Sequence, residues 1–329
     1  MISGPNDETV VMPAARGAAA KRAARNAASA SNAADETVEL PVVTDEPPRA
    51  RHRRKVTPAD RARTVLRGTG ELLITLGVVV LLFVAYEVYV TDWLSAGKQA
   101  DATSALDDRW AEQPTVQTPS NERTERFRPT DGEGFAKLYI PAFGSDFVFT
   151  VLEGTTDPIL EIGPGHYKDT AFPGEPGNFS VAGHRVGKGA PFNDLHLLRS
   201  CDALVVETQQ SWVVYRVLPM ADERTGWAQG RGASELCAGV SPLGGPYAGV
   251  VGRHIVRPSQ SEVIAPVPGQ SERSYQTLPP EQRAALITLT TCHPQFSARE
   301  RLIVHGVFAT QYPKDPANPG ARPPELTEG

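Results

Sequence analysis

A chain of 329 residues with 40% hydrophobic and 22% charged residues is long enough to bury a sizeable core. Its net charge of -5 gives no bulk attraction for nucleic acid, and 29 Pro with 29 Gly point to many turns and long connections. Three cysteines exclude a disulfide-dense scaffold and leave one thiol unpaired.

Residues 1–56 are rich in Ala, Arg, Ser, Asp, Glu and Pro and poor in large apolar side chains, so they are expected to be disordered. Thr57-Pro58-Ala59-Asp60 reads as an N-cap followed by Pro at the first helical position, and it starts a short basic helix over 57–71. The stretch LLITLGVVVLLFVAY, Leu72 to Tyr86, carries no charge, and apolar character continues past Glu87 to Val90. A transmembrane helix is predicted over 72–92, with Tyr86, Tyr89 and Trp93 gathered where lipid headgroups would lie. The segment before it is too long for the basic region of a signal peptide, and no small-residue cleavage site follows. Seven Arg and Lys residues (Arg51, Arg53, Arg54, Lys55, Arg61, Arg63, Arg67) precede the span, whereas Lys98 and Arg109 are the nearest after it. That asymmetry predicts a single-pass protein of the cell membrane with a cytoplasmic N-terminus and the rest of the chain outside.

Residues 93–130 are polar and read as an extracellular stalk. From Asp131 short β-type runs recur between turn signals: AKLYIP, DFVFTVLEG, NFSVAG, ALVVET, WVVYRVL, HIVRP, ALITLTT and LIVHGVF. Eight such runs predict an all-β domain over 131–312, a closed barrel or a sandwich with short helices. The Pro-rich end, 313–329, is expected to be unstructured.

The three pairings among Cys201, Cys237 and Cys292 are all open. A bond between Cys201 and Cys237, both in turn-like contexts, would leave Cys292 as a free thiol outside the cell. Cys292 closes a β run, and a strand beginning at Arg301 follows after eight residues (301 − 292 − 1 = 8). If the two strands pair antiparallel, Arg301 comes beside the sulfur, with Arg299 in the loop as the alternative. A nucleophilic thiol also needs a proton carrier and a donor for the oxyanion. His184 follows the run NFSVAG and enters a Gly-rich loop, which suits a catalytic group, and His166 is the alternative. Cys292 and His293 are adjacent, but no second pair has the spacing of a structural zinc site, and no dense acidic loop suggests calcium. No metal and no cofactor are expected.

The segment TLTTCHPQFSARERLIVHG, with GPGHYKDTAFPGEPGNFSVAGHR and the N-terminal span, resembles the sortases, most closely class E of the actinobacteria. The resemblance covers about 131–310. It implies an eight-stranded closed β-barrel with Cys292 as nucleophile, His184 as proton carrier and Arg301 as stabiliser of substrate and oxyanion. Thr290 and Thr291 would contribute to the substrate groove. The implied reaction cuts a C-terminal Leu-Ala-x-Thr-Gly motif of a secreted protein between Thr and Gly, through a thioester. It then joins that protein to an amine of a peptidoglycan precursor, without nucleic acid as partner. An extracellular cysteine protease with water as acceptor, and a non-catalytic wall-binding module, are the competing readings. Two features depart from the family: Cys201 stands where related sequences tend to have Gly before Asp, and the stretch from about Pro219 to Gly252 is long. A Cys201–Cys237 bond would tether that insertion.

Overall fold

The computed structural model describes residues 57–86, 91–112, 129–315 and 317–328. The expected disordered segment 1–56 lies outside them, as do Glu87 and Tyr89 of the expected span and residues 113–128 of the expected stalk.

The first helix, α1, runs unbroken over Pro58–Ala85, so the juxtamembrane and membrane-spanning pieces expected separately are one element. Thr57 and Asp60 cap it reciprocally: Asp60 N donates to Thr57 Oγ1 (3.2 Å), and Thr57 N donates to Asp60 Oδ2 (3.2 Å). None of its residues is buried, and it is long and apolar enough to cross a membrane.

Among the described residues nine strands follow: β1 Gly134–Tyr139, β2 Val148–Glu153, β3 Gly165–His166, β4 Gly177–Ala182, β5 Ala203–Glu207, β6 Ser211–Val217, β7 Arg253–Val256, β8 Ala285–His293 and β9 Glu300–Pro313. Hydrogen-bonded neighbours run β6-β5-β1-β2-β3-β4-β8-β9, and β9 pairs with β6 to close eight strands into a barrel. The ninth, β7, pairs with the first half of β9 outside that circuit. Period-two alternation explains the interior: Val151, Phe179, Val181, Leu204, Val206, Val213, Tyr215, Ile287, Leu289, Leu302 and Val304 all point into one buried cluster. Two-residue β3 is too short to show alternation in a sequence, whereas β7, counted among the eight expected runs, lies outside the closed circuit.

Two expectations are corrected. Thr91–Glu112, of which the first two residues were expected in the membrane span and the rest in the stalk, is a 22-residue helix, α2, lying on the barrel. Its docking is largely polar. Gln99 Oε1 accepts from Thr150 N (2.6 Å), Gln99 Nε2 donates to Ile162 O (3.0 Å), and Arg109 pairs with Glu133 (2.6 Å). Leu106 is its one fully buried apolar side chain. Glycine at 163 permits this approach: a Cβ there would sit 2.0 Å from Gln99 Nε2 and displace it from Ile162 O.

The tail, expected to be unstructured, is docked as well. Ala203, Val205, Trp212 and Val214 face outward and are covered by Tyr139, Tyr312 and Leu326. Glu328 clamps Arg216 through two contacts, one of them Arg216 Nη2 to Glu328 Oε1 at 2.7 Å. An apolar outer face on β5 and β6 is what draws a Pro-rich segment down.

Cys201 and Cys237 form a disulfide with Cα atoms 5.1 Å apart. They pack with Trp227 and Val240, and Trp227 Nε1 donates to Val240 O (2.9 Å). Gly252 N donates to Pro219 O (2.8 Å), so the insertion leaves and re-enters the barrel at one point. Cys201 has φ +75°, a left-handed conformation that glycine adopts freely; this accounts for the glycine expected there.

Candidate active site

Cys292 is the free cysteine, half-buried near the end of β8. In the β8–β9 ladder Cys292 stands directly opposite Arg301, flanked by Thr291↔Leu302 and His293↔Glu300. Opposed residues of an antiparallel pair project from the same face, so thiol and guanidinium stem share the barrel's outer face. The connection between the strands is six residues, 294–299, because β8 and β9 each extend further than the sequence suggested. Arg301 Nη1 donates to Ala298 O and Glu300 O, both at 3.0 Å, which holds the guanidinium at the mouth of that loop. Arg299 is exposed in the loop itself.

His184 arrives by a different route. β4 runs parallel to β8 with Ala182 opposite Thr290, and Gly183 N continues the ladder to Thr290 O (3.1 Å). One step further along that register is Cys292's level. Phe179 and Val181 point inward, and a Cβ on Gly183 would strike the Phe192 ring at 2.5 Å, so alternation turns His184 outward, toward the face that carries Cys292. His184 Nε2 is buried and has no hydrogen-bond partner among the described residues. Burial, reinforced by the nearby Lys188 ammonium, holds the imidazole pKa below the usual histidine value, against the opposing charges of Asp157 and Glu161.

Of the two threonines expected in the groove, Thr290 lies on the outer face with its hydroxyl 3.0 Å from that of Tyr167. Thr291 differs from expectation: it is buried on the opposite face and donates to Gly183 O (2.8 Å), tying the His184 strand to the Cys292 strand. His166, the alternative proton carrier, is buried in a separate cluster, where its Nδ1 meets Glu153 Oε2 at 2.7 Å and Phe135 packs on its ring.

Sequence reasoning missed Arg185. Its side chain is 7% exposed, and Nη1 donates to Cys292 O (3.3 Å) and to His293 Nδ1 (2.8 Å). It forms no ion pair among the described residues, so it acts as a strut that fixes the end of β8 against the His184 loop. Its adjacency to His184 was the one available signal.

On the outer face of the barrel a polar chain has fixed directions. Asn178 Nδ2 donates to Ala265 O (3.0 Å), so its Oδ1 accepts from Thr288 Oγ1 (2.7 Å), which in turn accepts from His305 Nδ1 (2.8 Å). This chain ties the 261–265 turn over β4, β8 and β9. Burial, and secondarily His254 whose ring centroid lies 5.2 Å away, pushes the His305 pKa down to about 3. Below pH ~6.5 the unfolded chain takes up a proton that folded His305 refuses, so stability falls as pH drops from about 6.5 toward 3. At pH 4.5 this group alone should cost about 3 kcal/mol relative to pH 7.5. Urea unfolding at the two pH values checks it: His305→Asn should show a smaller difference than the parent, and an unchanged difference contradicts the assignment.

These features define a closed β-barrel with one free thiol at its rim, facing an arginine across a strand pair. A sortase domain profile matches residues 138–309, more than half of the chain, and the chain belongs to the sortase family. Sortase SrtE1 of Streptomyces coelicolor is 32% identical over 279 residues, covering 83% of this chain and 65% of that protein. The chain thus spans just under two thirds of SrtE1's own length. Sortase SrtE2 of the same organism is 30% identical over 246 residues, covering 72% of this chain and 79% of that protein. Among solved structures, the SrtF sortase from Corynebacterium diphtheriae is 42% identical with a TM-score of 0.51, covering 66% of this chain and 100% of that one. The likeness to the two E-type enzymes agrees with the class E motifs of the sequence.

Proposed function

We propose that the chain is a membrane-anchored cysteine transpeptidase. It would cleave a C-terminal sorting motif of the Leu-Ala-x-Thr-Gly type between Thr and Gly and join the protein to a cell-wall amine. The observation that carries the reading is the Cys292↔Arg301 pair, with His184 brought level by the parallel β4–β8 register. The Cys292 sulfur attacks the Thr carbonyl, and His184, uncharged at neutral pH because its pKa is lowered, accepts the thiol proton. Arg301 steadies the oxyanion and the peptide carbonyls beside it. Collapse of the adduct breaks the Thr–Gly bond, His184 returns the proton to the departing amine, and a thioester remains. An incoming amine then attacks the thioester, loses its proton to His184, and releases Cys292 with a new amide bond. The apolar part of α1 would supply the anchor, and the basic residues ahead of Leu72 favour a cytoplasmic N-terminus with the barrel outside.

Incubating the protein with a Leu-Ala-x-Thr-Gly peptide, with and without a short glycine peptide as amine, tests the reading. The amine should divert the acyl group into a ligated product; hydrolysis alone, unaltered by amine, would instead make the protein a protease.

Lys188 lies near enough to depress the His184 pKa, and it pairs with Glu161 at 2.9 Å. Lys188→Gln removes a cation and frees part of the Glu161 charge, and both changes raise that pKa. The acid limb of the pH profile of kcat/KM should therefore move to higher pH; a shift to lower pH contradicts His184 as the titrating group.

A further inference from the structure

The helix that follows the apolar segment is fastened to the barrel at the rim carrying His184 and Cys292. In its first turn Asp92 Oδ1 accepts from Gly189 N (3.0 Å). Further along, Lys98 shares Glu161 with Lys188, at 3.3 and 2.9 Å. From there bonds cross the rim: Asn193 N donates to Ala190 O (3.1 Å), and Gln295 Nε2 donates to Asn193 Oδ1 (2.6 Å). The β8–β9 loop beyond Cys292 is thereby linked to the head of α2.

Large apolar side chains stand out along this linked rim. Trp93 is 74% exposed, Leu197 57% and Phe296 84%. One such residue is ordinary on a soluble surface; Trp93 and Phe296 each adjoin a residue of the bonded series and Leu197 follows Asn193 by four residues, and beside a chain that has just left an apolar span the three call for a partner. Chain length identifies it. Five peptide links separate Tyr86 from Thr91, a reach of at most about 18 Å. The other end of β9, twelve residues beyond Arg301, is about 40 Å away along the strand.

We propose that this rim is the membrane-facing surface of the protein. Trp93, Leu197 and Phe296 rest in the headgroup layer of the bilayer that holds α1, and the thiol opens onto that surface. Substrates that reach Cys292 are then those presented at the lipid boundary, on a barrel to which α2 is bonded through Asp92, Lys98 and Gln99. Amphipathic and aromatic side chains favour this layer, where an apolar body is buried and polar edges stay wet. The inference rests on the membrane-anchored reading.

The test uses the full chain in vesicles of phosphatidylcholine and phosphatidylglycerol. Nitroxide labels are attached singly at Phe296→Cys or Asp315→Cys, in a Cys292→Ala background that removes the native free thiol. Asp315 lies just past the far end of β9 and is exposed. The label at 296 should be relaxed more by lipid-soluble oxygen than by water-soluble nickel, and the label at 315 the reverse. Vesicle flotation separates the two claims. A protein that floats while both labels report water overturns the membrane-facing rim and leaves the anchor standing; a protein that does not float overturns both.

Discussion

Cys292→Ala should lower kcat/KM for a sorting-motif peptide by about 10^4-fold or more, with no labelled acyl-enzyme detectable. The sulfur is the bond-forming atom in the proposed reaction, and removing a nucleophile takes away the whole covalent route rather than one stabilising contact. The fold should survive, because Cys292 is half-buried at a strand end and the disulfide uses the other two cysteines. An unchanged melting temperature beside the lost rate separates chemistry from stability. A silent Cys292→Ala would favour a non-catalytic wall-binding module.

Arg301→Ala should cost about 10^2 to 10^3 in kcat/KM, close to 3 or 4 kcal/mol of transition-state stabilisation, as expected for a charged donor beside a developing oxyanion. Arg299→Ala, from the exposed loop, should cost less than about threefold. The contrast follows from the ladder: Arg301 is opposite Cys292 on the same face, whereas Arg299 belongs to the six-residue connection. Arg301→Lys restores charge without the planar fork and should recover only part of the loss. Full activity in Arg301→Ala with loss in Arg299→Ala would transfer the role to the loop arginine.

The geometry linking Cys292 to Arg301 was legible because it is local. Two β runs joined by a short loop pair antiparallel, and alternation does the rest. His184 was legible only as a residue type in a suitable loop. What brings it level with Cys292 is the parallel pairing of β4 with β8, a contact more than a hundred residues apart that no local pattern encodes. Beyond its adjacency to His184, Arg185 left no signal, since a buried arginine reads like any surface arginine until its carbonyl acceptor is known.

The same distinction governs the fold. Strands of four or more residues could be read, whereas two-residue β3 could not. The segment around Gln99, Thr103 and Arg109 gave no apolar stripe because α2 docks mainly through hydrogen bonds and ion pairs. The end of the chain reads as disordered by composition, yet Leu326 covers an apolar outer sheet face and Glu328 meets Arg216. Both failures arise where tertiary contacts stabilise a segment whose own sequence would not.

The most direct test of the central claim is intact mass spectrometry of the protein after brief exposure to a Leu-Ala-x-Thr-Gly peptide without amine. A mass increase equal to the peptide cut after Thr, mapped by digestion to Cys292 and absent in Cys292→Ala, is the predicted result. Peptide cleavage with no adduct on Cys292, or an adduct on another residue, would contradict a thioester at this sulfur.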